Sequence, residues 1–437
     1  MKNFLKKTGM TIGIFLLTVL LGFGLICTVY SLPGDTRRAL HVRESGDSLV
    51  QQGNYWQLIP GRSTTMLDNF TDCIMLLTAA YSGDESAVDQ AVKNYRIYQK
   101  KATKQESCQN CGIIPTKKQK KLTYERYWHG YLVVLRPLLL FFNLGEIQQL
   151  NSLVILIYMV LISILLYRRK KRGYIIPYLL ACTYMTPMTI SVSLQNSTVF
   201  HTASIALIVL LICYDKKWFQ NNIWIYFMLT GMLTSYVDFL TYPVVALAFP
   251  LIFYFILDQE NSPLKNLWHM IFYSGMWAVG YVGMWASKWC LATIITGNNY
   301  FTDASEAISV RSGTTVGDVT ISFNDVFQCL RGYTQNNIVY KLSLLFAVLC
   351  VVILIFSKRC WNHWSVSLIF LLVCVYPYIW AFGAKNHTYM HIMFTHRILS
   401  VVVLGISCAV LPLIGSRPSK VHTISVQKTL DYEENEL

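Results

Sequence analysis

Apolar residues in this chain gather into long runs, separated by polar stretches that are mostly short. Runs near the ~20 residues that carry a helix across a bilayer core predict transmembrane helices. Ten are expected, at 10–32, 149–167, 174–192, 199–214, 222–240, 243–257, 267–292, 339–356, 364–383 and 397–414. The fifth and sixth read as a hairpin hinged at Thr241-Tyr242-Pro243. One further apolar segment, 128–142, is too short to span, and as a span it would reverse the side of every later charge cluster. Its aromatic residues suit a helix lying in the outer interface, with Arg136 toward the headgroups. The expected fold class is therefore all-α: a polytopic transmembrane helix bundle of about ten spans, forming a single membrane domain over 1–437. It carries a large extracytoplasmic first loop at 33–148, a second outer loop at 293–338 and a cytoplasmic tail at 416–437.

Charge gives this bundle a direction. The clusters Arg168-Arg-Lys-Lys-Arg172, Lys216-Lys217, Lys358-Arg359 and Arg417 with Lys420 all fall on the same side as the N-terminal Lys2, Lys6 and Lys7. Basic residues mark the cytoplasmic side, so both termini are expected there, in the plasma membrane of a bacterial cell. The first run exceeds the ~7–15 apolar residues of a signal peptide, and Tyr30-Ser-Leu-Pro33 is a poor cleavage site, so it reads as a retained helix. Composition agrees: the chain is 54% hydrophobic and 14% charged, against roughly a quarter charged in soluble domains. The net charge of +14 sits largely at span ends and in the first loop. No basic groove or binding motif accompanies it, which excludes nucleic acid as a partner.

Ionisable residues at membrane depth are costly and mark candidate chemistry. Here they collect at the expected outer ends: Asp238 near the end of the fifth span, Lys288 near that of the seventh, and His387, His391 and Arg397 before the last. Arg136 and His129 lie on or beside the interfacial segment, and Asp35 follows the first span. The pattern implies an outward-facing polar cavity lined by Asp238, His129, His387 and His391, with Lys288, Arg397 and Arg136 at lipid-phosphate depth. Each residue also has a plainer reading. Lys288 can snorkel, Asp238 can cap locally, and the i,i+4 spacing of His387 and His391 suits zinc only on a helix. Asp68 and Asp72 share a face if helical. Either Asp68 or Asn69 caps a loop helix, or one of the carboxylates is a base or metal ligand. Cys108-Gln-Asn-Cys111, with Cys73 in the same loop, points first to a local disulfide, since no second ligand pair for a metal is evident.

The tract Tyr127-Trp-His-Gly-Tyr-Leu-Val-Val-Leu-Arg-Pro-Leu-Leu-Leu-Phe-Phe-Asn-Leu-Gly-Glu146 resembles the block before the second span in the GT-C superfold of membrane glycosyltransferases, protein mannosyltransferase-like branch. The likeness of layout covers 1–170: a span, a large outer loop opening on an acidic residue, an interfacial helix, and a span ending in a basic cluster. His129-Gly130 stands where that family has His-Pro, and Gly34-Asp35-Thr36 where it has an Asp-Glu pair. The chain also resembles uncharacterised bacterial polytopic membrane proteins with Leu-Asp-Asn-Phe-Thr-Asp and Asn-His-X-Tyr-X-His segments.

The resemblance implies transfer of a sugar from a polyprenyl-phosphate carrier to a glycan, lipid or protein acceptor of the cell envelope, on the outer face. Asp35 is then the base, with Asp68 or Asp72 as its substitute or as a ligand for a divalent metal, the one cofactor in view. Lys288, Arg397 and Arg136 would hold the leaving phosphate. The alternatives are a transporter or flippase of a lipid-linked or anionic substrate, a lipid-linked glycan polymerase or ligase, and a non-catalytic scaffold.

Overall fold

The structure, a computed structural model, describes residues 2–258, 262–335, 337–356 and 364–414. It is 76% helical, with three two-stranded ribbons among the described residues. The chain is nearly all-α. Seven helices are long and apolar enough to cross a bilayer: Leu5–Tyr30, Leu144–Arg168, Leu194–Cys213, Pro263–Thr296, Ile338–Ile355, Trp364–Gly383 and Ile392–Leu413. They mark an integral membrane protein. Two shorter apolar helices, Ile223–Val237 and Val244–Asp258, form the expected hairpin. Its hinge is Asp238–Pro243, where Leu240 takes a left-handed φ of 67°. The charge markers Lys358, Arg359, Arg417 and Lys420, and the tail 416–437, lie outside the described residues.

Element ends move for identifiable reasons. Leu144–Arg168 begins five residues before the expected 149 because Asn143 and Glu146 close a capping box. The Asn143 side chain accepts from the Glu146 amide at 3.1 Å, and the Glu146 carboxylate accepts from the Asn143 amide at 2.9 Å. Such a polar first turn hides a helix start from any reading of apolar runs. The expected span 174–192 is broken into Ile175–Tyr184 and Pro187–Ser191. Thr186 takes φ 59° between them, and Pro187 opens the new helix at its first turn, where proline's missing N–H costs nothing.

The segment expected to be the first outer loop is folded, and takes the name outer domain from that expectation. Helices Asp35–Glu44, Asn69–Ala79, Ala87–Lys93 and Lys104–Gln109 pack with the ribbons Tyr55–Gln57/Met66–Asp68 and Arg96–Gln99/Gln119–Leu122. Their apolar faces share one core with the Tyr30 end of the first helix, whereas most remaining spans build a separate core. The segment 128–142 yields only a seven-residue helix, Leu132–Leu138, which is too short to span. Arg136 on it is turned inward and is 1% exposed, not directed at headgroups. The expected Cys108–Cys111 bridge is absent, and Cys73, Cys108 and Cys111 are free thiols. Cys108 points into the core, its Sγ facing the Cys73 carbonyl at 3.8 Å, while Cys111 lies just beyond the end of Lys104–Gln109.

Helices Ile223–Val237 and Pro263–Thr296 pack backbone against backbone. A Cβ on Gly231 would overlap the Trp277 carbonyl, and one on Gly280 would overlap the Met228 carbonyl. In lipid, where apolar surface gains little from leaving the tails, such close approach supplies much of the helix association. Gly231→Ala should therefore cost on the order of 3 kcal/mol of stability, read as a lower thermal midpoint in detergent. Gly275→Ala on the same long helix meets nothing within 4 Å and should leave that midpoint unchanged or slightly raised.

Candidate functional site

Three centres hold the ionisable residues. The first lies where the first helix enters the outer domain. Asp35 opens helix Asp35–Glu44 and pairs with Arg38, with Arg136 at 3.9 Å. Arg38 also donates to the Pro33 and Leu32 carbonyls at 3.0 and 3.1 Å. Arg136 donates to three carbonyl oxygens, those of Val29 at 3.0 Å, Ala79 at 2.7 Å and Tyr81 at 3.1 Å, and its guanidinium lies 4.5 Å from the Tyr30 ring centroid. Burial and then the like charge of Arg38 lower its pKa to about 10, so it stays cationic at neutral pH. The side chain of Asp35 is 51% exposed.

The second centre ties the outer domain to the bundle through Asp72. Its carboxylate accepts from the Leu194 amide at 3.0 Å, the Gln195 amide at 2.9 Å and the Ser193 hydroxyl at 3.5 Å. These are donors at the N-terminus of Leu194–Cys213, where helix N–H groups lack partners and the dipole favours an anion. Asp68, close by, caps its own helix by accepting from the Thr71 amide and hydroxyl. Burial raises the pKa of both carboxyls, that of Asp72 to about 7. Arg397 donates to the Met185 carbonyl at 3.0 Å and reaches the Thr64 carbonyl at 3.5 Å, which joins the last span to the broken third one and to the outer domain.

The third centre brings together most of the residues expected to line a cavity. Asp238 accepts from the Thr241 amide and hydroxyl. Its neighbour Phe239 packs on His129 with ring centroids 5.2 Å apart, and the Leu240 carbonyl accepts from His387 Nε2 at 2.8 Å. His387 stands 4.8 Å from the His391 ring, and its Nδ1 faces Arg311 at 3.4 Å. Arginine can only donate, so Nδ1 accepts and Nε2 carries the proton. Burial first, and then neighbouring positive charge, hold His387 at about 3 and His391 at about 4, both neutral. His129 is neutral for the same two reasons, the nearby cation being Lys288. Lys288 donates to the Ala91 and Val92 carbonyls at 2.9 and 2.8 Å and lies 5.6 Å from the Trp128 ring.

His129 itself holds a left-handed φ of 57°. The next residue, Gly130, donates its amide to the Tyr236 carbonyl at 2.8 Å, a bond that proline could not make.

The expected residues are thus brought together only in part. Asp238, His129, His387, His391 and Lys288 converge, Asp35 and Arg136 form a second group, and Asp68, Asp72 and Arg397 a third. Arg311, absent from the expected set, enters from helix Tyr300–Ser312 of the second outer loop, which Arg126 and Asp303 tie to the first at 2.9 Å. It lies on a polar helix of that loop, with neither an apolar run nor membrane depth to mark it. Among the described residues no three His, Cys, Asp or Glu side chains are arranged to hold a metal ion. No family model matches the chain, and neither a curated protein nor a solved structure is similar to it.

Asp72 makes a pH prediction. Its carboxyl ionises near 7 in the folded protein but at 3.8 when exposed. Between those values the folded protein holds a proton that the unfolded chain has lost, so stability falls as pH rises through that window. The thermal midpoint in detergent should decline from pH 5 to 7.5, with a shallower slope in Asp72→Asn. Asp72→Ala, which strands two buried amides, should cost about 1–3 kcal/mol for each at any pH.

Proposed function

We propose that this protein is a membrane glycosyltransferase of GT-C type, moving a sugar from a polyprenyl-phosphate carrier to an envelope acceptor on the outer face of a bacterial plasma membrane. One observation carries the reading. Asp68 caps a helix, Asp72 clamps another and Asp238 closes a turn, whereas Asp35 keeps an exposed carboxylate beside two guanidinium groups. Its position, directly after the first span, is the one the family resemblance expects of the base.

In the reaction the acceptor hydroxyl oxygen attacks the anomeric carbon of the sugar. The bond from that carbon to the phosphate oxygen breaks, and its electron pair leaves with the polyprenyl phosphate. Asp35 takes the hydroxyl proton. Arg38 and Arg136 are occupied by carbonyls, so they act on the developing phosphate charge through their field and not by direct contact. Lys288 and Arg397, also held by carbonyls, are assigned to the frame. Asp238, His129, His387 and His391, with Arg311 beside them, form a separate centre and are assigned no part in the proton transfer.

In membranes supplied with polyprenyl-phosphate sugars, Asp35→Asn should lower the transfer rate roughly 10²–10⁴-fold, the range of general-base catalysis. Donor KM should change little, because proton removal acts in the transition state. Asp68→Asn and Asp72→Asn should reduce the amount of folded protein and spare the rate per folded molecule. Full transfer by Asp35→Asn would sink the assignment. The topology has its own test: Cys290 is exposed near the outer end of Pro263–Thr296 and should react with a membrane-impermeant maleimide on intact cells. Labelling only after the cells are opened would reverse the orientation.

A second reading draws on the broken third span, since discontinuous helices at membrane depth build transporter sites. A carrier of a lipid-linked substrate would move label across proteoliposomes with no sugar transferred, and with Asp35→Asn as active as the parent.

A further inference from the structure

At the lysine-rich end of the bundle a groove opens between the first helix and helices Leu194–Cys213 and Ile223–Val237. Its volume is about 480 Å³, within the ordinary range of ligand sites. Met10 and Ile14 form one wall, Ile205 and Val209 the second, and Leu233 and Trp218 mark its two ends. The first helix is fastened elsewhere, with Tyr236 donating to the Gly22 carbonyl at 2.7 Å and Trp224 Nε1 to the Thr11 hydroxyl at 3.2 Å.

Two further features say what fits. From Asn222 to Leu233 the groove follows eleven helical steps, roughly 16 Å at 1.5 Å per residue. That is about half of the ~30 Å hydrocarbon core, one leaflet deep. A partner helix crossing the membrane would need twice that length, whereas an acyl chain of one leaflet would not. The mouth is also cationic. Lys6 and Lys7 precede Met10 by one turn, Lys7 Nζ lies 4.6 Å from the Trp224 ring, and Lys216 and Lys217 adjoin Trp218. The carboxylate nearest in sequence, Asp215, is engaged by Arg169 at 3.0 Å. Basic side chains at the mouth of an apolar cleft between spans suit an anionic headgroup.

We propose that this groove binds one anionic phospholipid of the adjoining leaflet, its acyl chain between Met10 and Leu233 and its phosphate among Lys6, Lys7 and Lys217. The site is separate from the Asp35 centre and does not depend on the proposed transfer reaction.

The test uses the full chain in nanodiscs containing equal phosphatidylcholine and phosphatidylglycerol with identical acyl chains, released into native mass spectrometry. The expected result is a single retained phosphatidylglycerol. Ile205→Trp and Leu233→Trp, each at a partly exposed position of the wall, should lose it while keeping the parent's elution profile. Lys7→Gln with Lys217→Gln should reduce the preference for phosphatidylglycerol at least tenfold. Equal retention of the two lipids by the parent, or undiminished retention by both filled-groove variants, would overturn the proposal. Should one tryptophan variant misfold, the other and the lysine pair still decide it.

Discussion

Buried charge at helix ends is the constraint on which this architecture rests. A lone ion in a low-dielectric interior would be prohibitively unstable, and a helix end sealed from water leaves four unsatisfied backbone groups. Each problem solves the other here. Arg136 reaches carbonyls at the ends of the first helix and of Asn69–Ala79, Lys288 those ending Ala87–Lys93, and Arg397 one just after Ile175–Tyr184. Asp72 does the reverse at the start of Leu194–Cys213. In every case the sign of the ion opposes the partial charge of the helix end it meets.

These contacts join segments far apart in the chain. Lys288 and its partners are 196 and 197 residues apart, and Arg397 and Met185 are 212. Apolar packing within a membrane supplies little directional preference, so it does not by itself set how a folded outer domain sits on a bundle. A hydrogen-bonded ion does, because removing either partner leaves the other stranded, and that loss exceeds what the intact pair contributes. The same clamps empty the candidate list for chemistry. Side chains that satisfy helix ends are not free to meet a substrate, which leaves Asp35, half exposed beside two guanidinium groups, as the carboxylate on which the proposed reaction relies.

Long, uniformly apolar runs were legible in the sequence. Ile338–Phe356 falls within one residue of its expected bounds, because transmembrane burial acts on summed hydropathy over about twenty residues, whereas Leu194–Cys213 begins five residues early in a polar first turn. Breaks inside runs were not, since Thr186-Pro187 is apolar enough to pass for a span. The convergence of Asp238, His129, His387 and Lys288 was also legible, because costly polar residues at one depth have few places to go. Which of them are structural was not. The partner of Arg136, Lys288 or Arg397 is a backbone carbonyl that every residue possesses, so no pairing with an acidic side chain could reveal it. Asp68 and Asp72 look equivalent four residues apart, yet one caps its own helix and the other crosses to a distant one.

The distribution of these contacts also decides which part of the protein yields first. The segment 293–338 is held in two ways: helix Tyr300–Ser312 by polar contacts, Arg126 with Asp303 at 2.9 Å, Tyr300 with Glu125 at 3.4 Å and Arg311 with His387 at 3.4 Å, and the stretch after it by Ile321, Val326 and Leu330, which are buried in the main core. Exposed pairs of that kind are worth about 0–1 kcal/mol each. Opening free energies across a fold follow such differences, with weakly buried loops at the low end and clamped cores near the global value. Helix Tyr300–Ser312, held mainly by such exposed polar pairs, therefore stands nearer the low end of that scale than the core-buried stretch of Ile321, Val326 and Leu330 or the clamped helices.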